Sequence, residues 1–162
     1  MNSPKIENLT SKERGYLLGL FIGDGYLSYH QNSRRHKVEF CLNSEKDKDI
    51  QDFLIKILNK ARLHSYVFKD PRFNANYIRV GSQEFFFYIS ELLKKFKSKN
   101  KFSDDFLLGV LSGFIDAEGC VYNGTIQITQ KDTETINNIK AICNSFKINC
   151  TLKHKSNGKN LV

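Results

Sequence analysis

LLGLFIGDG (residues 17–25) and LSGFIDAEG (residues 111–119) are two versions of one apolar segment. Each ends in a carboxylate followed by a glycine, with Asp24 in the first copy and Glu118 in the second. Small residues also recur at a spacing of four, at positions 15, 19 and 23 and again 94 residues later at 109, 113 and 117. The chain therefore uses one structural element twice.

Matching sequence follows each copy. Alternating polar and apolar residues predict a strand hairpin, and Asn123-Gly124 is a strong two-residue turn signal in the second copy. Asp132 marks the start of a helix after the second hairpin, and Ser44 with Asp47 does so after the first. The first copy then adds more strand-like sequence and an aromatic-rich amphipathic helix at about 83–97. We expect two halves, residues 1–100 and 101–162, of which the second lacks its last helix.

The glycine spacing explains how the two halves would meet. Residues four apart lie on one face of a helix, and a face made of glycine and alanine lets another backbone approach closely. Each glycine costs a helix about 1 kcal/mol relative to alanine, so three in one helix need a structural reason. Packing of the two helices side by side about a pseudo-twofold axis supplies that reason and places Asp24 beside Glu118.

Two adjacent carboxylates at the negative ends of two helix dipoles repel each other. A divalent cation removes this repulsion, and Mg²⁺ is commonly bound by one or two carboxylates together with phosphate and water. The backbone carbonyls of Gly23 and Ala117 are candidates for further ligands. Two related sites also match the antiparallel strands of a DNA duplex, with one cut in each strand.

Charge favours the same partner. The 162 residues carry a net charge of +8, which indicates a polyanion such as nucleic acid. Residues 101–162 contribute +1 of this charge, so the first hundred contribute +7 and should make more phosphate contacts. No apolar run reaches the length of a membrane span and the N-terminus has no apolar signal core. The four cysteines form no CxxC pair, which is typical of a reduced intracellular protein.

At this point the two motifs closely resemble those of the LAGLIDADG homing endonuclease family in its single-chain, two-motif form. The resemblance implies an α+β fold in which two αββαββα halves form a pseudo-twofold pair with saddle-shaped antiparallel sheets. It implies that Asp24 and Glu118, at the eighth motif position, bind the metal, whereas Asp116 is a helix-end or interface residue. Mg²⁺ is the expected cofactor; Mn²⁺ is expected to substitute, and Ca²⁺ to bind without supporting cleavage.

The resemblance also implies polar residues that order water around each metal site. Gln130 and Lys131 match this role at the end of the second hairpin. The equivalent positions of the first half hold Leu42 and Asn43, so the usual lysine is missing there. Asn43 is expected to orient water, and the two DNA strands are expected to be cut at unequal rates.

DNA contacts are expected from one face of each strand, because arginine and lysine suit guanine and asparagine and glutamine suit adenine. In the first half the expected residues are Ser28, His30, Asn32, Arg35, Lys37, Glu39, Phe68, Asp70, Arg72, Asn76 and Arg79. In the second half they are Tyr122, Thr125, Gln127, Thr129, Lys153 and Lys155.

The sequence thus predicts a monomeric, site-specific double-strand DNA endonuclease, encoded in an intron. Two alternatives stay open, an RNA maturase that assists intron splicing and a non-cleaving DNA-binding protein. The lysine-, asparagine-, isoleucine- and phenylalanine-rich composition suggests an AT-rich genome, either organellar or archaeal.

Overall fold

A computed structural model describes residues 3–70, 72–98, 100–151, 153–154 and 160–161. Its first half contains, in chain order, helix α1 (Ser11–Asp24), strands β1 (Gly25–His30) and β2 (Arg35–Asn43), helix α2 (Lys48–Lys60), strands β3 (Ser65–Asp70) and β4 (Ala75–Val80), and helix α3 (Gln83–Lys97). The second half contains helix α4 (Asp104–Glu118), strands β5 (Gly119–Tyr122) and β6 (Thr125–Gln130), helix α5 (Thr133–Ser145), and the short strands β7 (Lys153–His154) and β8 (Asn160–Leu161).

Each half forms its own four-stranded antiparallel sheet, and the two sheets have equivalent strand orders. The strand order is β1-β2-β4-β3 in the first half and β5-β6-β8-β7 in the second. The predicted α+β pair of halves is confirmed. Asn123 and Gly124 both have positive φ, at 49° and 73°, as the predicted hairpin turn requires.

Local sequence explains where the helices begin. Thr10 and Glu13 form a capping box at α1: the Glu13 N–H donates to the Thr10 hydroxyl at 3.1 Å, and the Thr10 N–H donates to the Glu13 carboxylate at 2.7 Å. Asp132 caps α5 as predicted by accepting from the Glu134 N–H at 3.1 Å. At α2 the prediction of a Ser44 cap is wrong, because the N-cap position is Asp47.

The glycine faces of α1 and α4 pack against each other. A β-carbon at Gly15 or Gly19 would overlap the carbonyl oxygens of Phe106 and Val110 on α4. Likewise, one at Gly109 or Gly113 would overlap carbonyl oxygens of α1. Each helix therefore presses its bare backbone into the other, and only glycine permits this approach.

Two apolar cores flank this helix pair, and they share elements across the halves. Leu18 of α1 packs into the core of the second half together with Leu92 and Phe96 of α3. The boundary between residues 100 and 101 remains a prediction.

No helix follows α5 in the described part of the second half, which agrees with the sequence. In the first half α3 covers β2, where Val38 is fully buried. The registers Leu27–Val38 and Val121–Ile126 make Ile126 the counterpart of Val38, and Ile126 is 46% exposed. The second sheet is thus less covered than the first. Among the described residues, no helix has both the length and the apolar character needed to cross a membrane.

Candidate metal site and nucleic-acid face

Asp24 and Glu118 are the last residues of their helices. Directly after them the chain turns into strands at Gly25 and Gly119, whose N–H groups donate to the carbonyls of Phe21 and Ile115. Helix α1 ends one residue after Gly23, the last small residue of its packed face, and α4 ends one residue after Ala117 at the equivalent position. The packing of α1 on α4 therefore brings the two motif ends together, as the glycine spacing predicts.

Burial and charge both act on Asp24. A β-carbon built on Gly23 would touch the Ala117 side chain and come within 3.0 Å of the Glu118 Cγ, so Glu118 lies over the end of α1. Burial has the largest effect on the pKa of Asp24, followed by the charges of Glu118 and Asp47, and together they raise it from 3.8 to about 7. Without a cation, the site therefore disfavours ionisation of Asp24.

Gln130 holds Glu118 from the second sheet. Its amide nitrogen donates to Glu118 Oε1 at 3.2 Å. Its amide oxygen accepts from the backbone N–H groups of Lys131, at 2.7 Å, and Asp132, at 3.3 Å. Because both ends of the amide are engaged, Gln130 joins the start of α5 to the carboxylate at the end of α4.

The first half is built differently at the equivalent position. Gly25 pairs with Phe40 and Gly119 with Ile128, so Leu42 corresponds to Gln130 and Asn43 to Lys131. Leu42 is a buried core residue and cannot hydrogen-bond Asp24. Among the described residues Asp24 makes no side-chain hydrogen bond, which marks the asymmetry between the two halves.

Asn43 is occupied by a turn. Its Oδ1 accepts from the backbone N–H groups of Glu45, at 3.0 Å, and Lys46, at 2.9 Å. Its own backbone N–H donates to Asp47, and its carbonyl accepts from the buried Gln51. The side-chain oxygen is therefore committed to the backbone, and only the amide N–H₂ is left to orient water. Lys131 is exposed, directly after β6.

The donors at the helix ends suit a hard divalent cation. Asp24 and Glu118 supply carboxylate oxygens, and the carbonyls of Gly23 and Ala117 lie in the last helical turn, where intrahelical partners run out. In the described ranges no group of three or more His, Cys, Asp or Glu side chains converges. A cation here would thus rely on two carboxylates, with carbonyl, water and phosphate oxygens completing its shell.

Similar proteins were found by family and by fold. Residues 105–162 match the family model described as "LAGLIDADG-like domain". The structure of I-DmoI with DNA and Mn is similar over 93% of this chain and 88% of that chain, with 20% identity and a TM-score of 0.76. The chain has the two-motif LAGLIDADG fold.

Two further structures share the LAGLIDADG fold. A glycine-to-serine variant of I-DmoI, in complex with its target DNA in the presence of 2 mM Mg, aligns over 96% of this chain and 89% of that chain, with 20% identity and a TM-score of 0.77. The N-terminal LAGLIDADG domain of DUF199/WhiA aligns over 99% and 78%, with 19% identity and a TM-score of 0.66. No curated protein sequence matches the chain significantly.

In the LAGLIDADG fold of this chain, most of the residues predicted to contact DNA share one sheet face. In the first half the register pairs Ser28 with Lys37, His30 with Arg35, and Glu39 with Arg79, opposite to the face that carries buried Val38 and Phe40. Phe68 and Asp70 continue this face on β3, and Arg72 follows in the turn. In the second half Thr125, Gln127 and Thr129 on β6 lie on one face with Tyr122 on β5.

Asn76 corrects one prediction. It pairs with Leu42 and shares the face of buried Ile78. Its amide donates to Gln51 Oε1 at 2.7 Å, so it faces the helices and is not placed to contact DNA. The alternation of Ile78 and Val80 indicated this face in the sequence. Lys155 and the side chains of Asn32 and Lys153 lie outside what the structure describes.

Several predicted contacts are already paired with each other. Glu39 accepts from the Arg79 guanidinium at 2.8 Å, and Asp70 from the Arg72 guanidinium at 2.7 and 3.0 Å. Arg72 holds the pKa of Asp70 below its usual range through this hydrogen bond. Such pairs fix the direction of each arginine and reduce its charge. Arg35 and Lys37 make no ion pair with the described residues.

Sequence reasoning missed residues on the same face. The register places Tyr26 opposite Glu39, Cys41 opposite Tyr77, and Tyr66 opposite Arg79. The alternation that selected Ser28 and Phe68 also includes Tyr26 and Tyr66, so this signal was present. No sequence signal indicated that Gln51 would be a buried hydrogen-bond partner of Asn43 and Asn76.

Proposed function

We propose that this protein is a site-specific, divalent-metal-dependent DNA endonuclease that hydrolyses one phosphodiester in each strand of a duplex. The observation that carries the proposal is the position of Asp24 and Glu118, brought together where the two glycine-faced helices end. This position lies at the junction of two sheets whose polar faces suit a duplex with antiparallel strands. I-DmoI, whose fold the chain shares, was crystallised with DNA and Mn.

The roles of the residues follow from their chemistry. Asp24 and Glu118, with the carbonyls of Gly23 and Ala117, would hold Mg²⁺, and Mn²⁺ would substitute, whereas Ca²⁺ would bind without supporting cleavage. The bound cation lowers the pKa of water and neutralises charge on the phosphate. Gln130 keeps Glu118 directed at the site. Lys131 and the free amide of Asn43 would orient water in the second and first halves.

DNA binding is assigned to the shared faces of the two sheets. Arg35 and Lys37 would neutralise phosphates, and the paired Arg79 and Arg72 would present fixed donors to base edges. Gln127, Thr125 and Thr129 would serve the second half-site. One chain supplies both half-sites, so we propose that the protein acts as a monomer. An intron-encoded, intracellular origin belongs to the same proposal.

The decisive experiment removes each motif carboxylate while keeping its shape. Asp24→Asn and Glu118→Gln are incubated with a randomised duplex library, alongside the unaltered protein, with Mg²⁺ or with EDTA. We expect sequence-selective cleavage by the unaltered protein with Mg²⁺ alone, and loss of cleavage with retained binding in both variants. Asp105→Asn is the matched control, because this exposed carboxylate lies at the opposite end of α4.

Other outcomes identify the alternatives. Cleavage by both variants would exclude the proposed site. Selective duplex binding without cleavage under any metal would indicate the non-cleaving DNA-binding protein. Preferential binding of a structured intron RNA, with acceleration of its splicing, would indicate the maturase.

A further inference from the structure

Three aromatic side chains form a row on edge strand β3 and on its neighbour β4 in the first sheet. Tyr66 and Phe68 lie on one face of β3, 62% and 56% exposed, and Tyr77 of β4 lies directly opposite Phe68. The ring centroids of Phe68 and Tyr77 are 6.3 Å apart. We call Tyr66, Phe68 and Tyr77 the β3–β4 aromatic face. Because β3 is an edge strand, this face is open on one side.

Cations border the row. Arg79 is the cross-strand neighbour of Tyr66, and Arg72 follows β3 with its guanidinium 5.4 Å from the centre of the exposed Phe73 ring. Arg72 and Arg79 are held in place by Asp70 and Glu39. The first hundred residues also carry +7 of the net charge. Aromatic rings beside oriented arginine guanidinium groups, in a half of the chain with net positive charge, are a combination that suits single-stranded nucleic acid.

Recognition of paired bases does not account well for the exposed rings of the β3–β4 aromatic face. Paired bases stack on each other and offer only their edges in the grooves, where side-chain donors and acceptors recognise them and an aromatic ring can contact only a thymine methyl group. An unpaired base offers a whole π-face, and a sheet with neighbouring exposed aromatics can stack two or three such bases. Exposed rings in a row also carry a solubility cost that a binding function explains.

We propose that the β3–β4 aromatic face binds unpaired nucleobases of a single-stranded nucleic acid by stacking. The face belongs to the same sheet as the proposed duplex interface, but it requires neither the metal site nor cleavage. A single strand bound here would lie at the outer edge of the first half, away from the ends of α1 and α4.

A tryptophan reporter tests this directly, because the chain contains no tryptophan. Phe68→Trp is titrated in EDTA with a 12-nucleotide oligo-dT, a 12-nucleotide oligo-U and a blunt 12-base-pair duplex. We expect saturable quenching by the single strands and little by the duplex. Phe87→Trp, an exposed position on α3, is the control and should not respond. Tighter binding of oligo-dT identifies DNA as the ligand, and tighter binding of oligo-U identifies RNA.

Affinity measurements complete the test. Tyr66→Ala and Phe68→Leu should each weaken single-strand binding about tenfold in fluorescence anisotropy, and should weaken duplex binding by a clearly smaller factor. Phe68→Leu keeps an apolar side chain, so a loss there reports the ring. Failure of both single strands to quench Phe68→Trp would overturn the proposal. Equal losses of affinity for duplex and single strand would also overturn it. The same holds if sedimentation shows that the quenching results from self-association of the protein. Loss of nuclease activity would not affect any of these readings.

Discussion

Gln130 donates a hydrogen bond to Glu118 at 3.2 Å, and the described residues of the first half contain no equivalent of this contact. The counterpart of Gln130 is Leu42, which is buried in the core. One motif carboxylate is therefore fixed by a neighbouring sheet, whereas Asp24 is held only by its helix and its burial.

Unequal strand cutting is the first consequence. We expect nicked plasmid to accumulate before linear product, because Gln130 contacts Glu118 and Lys131 follows it, whereas the equivalent positions of the first half hold Leu42 and Asn43. Gln130→Leu introduces the residue that the first half has at the equivalent position. It should slow the faster cut about tenfold, which is the lower end of the loss of activity seen when a residue that orients a metal ligand is replaced. The measurement is a time course of supercoiled, nicked and linear plasmid carrying one target site.

The matched control for that experiment is Gln83→Leu, at the exposed start of α3. It should cut at the unaltered rate. Simultaneous cutting of both strands by the unaltered protein would contradict the predicted asymmetry.

Metal-free stability should fall as pH rises. Burial and Glu118 raise the pKa of Asp24 from 3.8 to about 7, so between these values the folded protein binds more protons than the unfolded chain. The free energy of unfolding therefore decreases with rising pH across this window. Urea unfolding in EDTA at pH 5 and pH 8 measures the decrease, and Asp24→Asn should reduce it.

Added Mg²⁺ should act in the opposite direction. Protons and the cation compete for Asp24, so Mg²⁺ should raise the free energy of unfolding more at pH 8 than at pH 5. Asp105→Asn serves as the control and should keep both dependences. An unchanged pH slope in Asp24→Asn would show that Asp24 is not the titrating group.

The helix interface should not tolerate a single methyl group. Gly19→Ala places a β-carbon on the Val110 carbonyl oxygen and near the Phe114 nitrogen of α4. Alanine gains about 1 kcal/mol of helix propensity, but the clash is with backbone and cannot be relieved by a rotamer change. We expect a net loss of about 2 kcal/mol or more in the free energy of unfolding, measured by urea denaturation.

Gly81→Ala is the comparison for this variant, because no atom lies within 4 Å of its added methyl group. It should be neutral or stabilise by about 0.4–1 kcal/mol. Equal stability of the two variants would mean that α1 and α4 are not in backbone contact.

A hydrogen bond across the interface offers a further test. Tyr16 of α1 donates to Asp116 of α4 at 2.7 Å, and burial together with this carboxylate raises the pKa of the phenol. Tyr16→Phe should destabilise the fold by about 1 kcal/mol, because it removes a hydrogen bond to the carboxylate of Asp116, which is itself exposed to water. Tyr29→Phe, at an exposed position, should change stability by less than about 0.5 kcal/mol. A neutral Tyr16→Phe in thermal and urea unfolding would show that the bond contributes nothing.

Much of the candidate site followed from spacing in the sequence. The repeat at 94 residues located Asp24 and Glu118, and the glycines four apart predicted the contact between their helices. Strand alternation selected the nucleic-acid face at Ser28, Lys37 and Gln127. It failed at Asn76, where the face is set by pairing with Leu42.

Other features depended on hydrogen bonds of polar side chains. Asn43 was predicted to orient water, yet its side-chain oxygen caps the turn before α2. Gln51 is buried beneath this turn and reaches both Asn43 and Asn76. The Asn43 turn is a local arrangement typical of asparagine, which strand alternation alone does not report. The position of Gln51 has no local sequence signature, because its amide is satisfied by partners from separate elements.

The sequence by itself determined the helices, the hairpins, the duplicated motif and the carboxylate at each motif end, because periodicity and glycine spacing act locally. Only the tertiary structure decided that Gln130 holds Glu118, that Leu42 leaves Asp24 without such a partner, and that Tyr66, Phe68 and Tyr77 form one face. Strand register and helix packing bring these residues together, and both are set by long-range burial that no single segment contains.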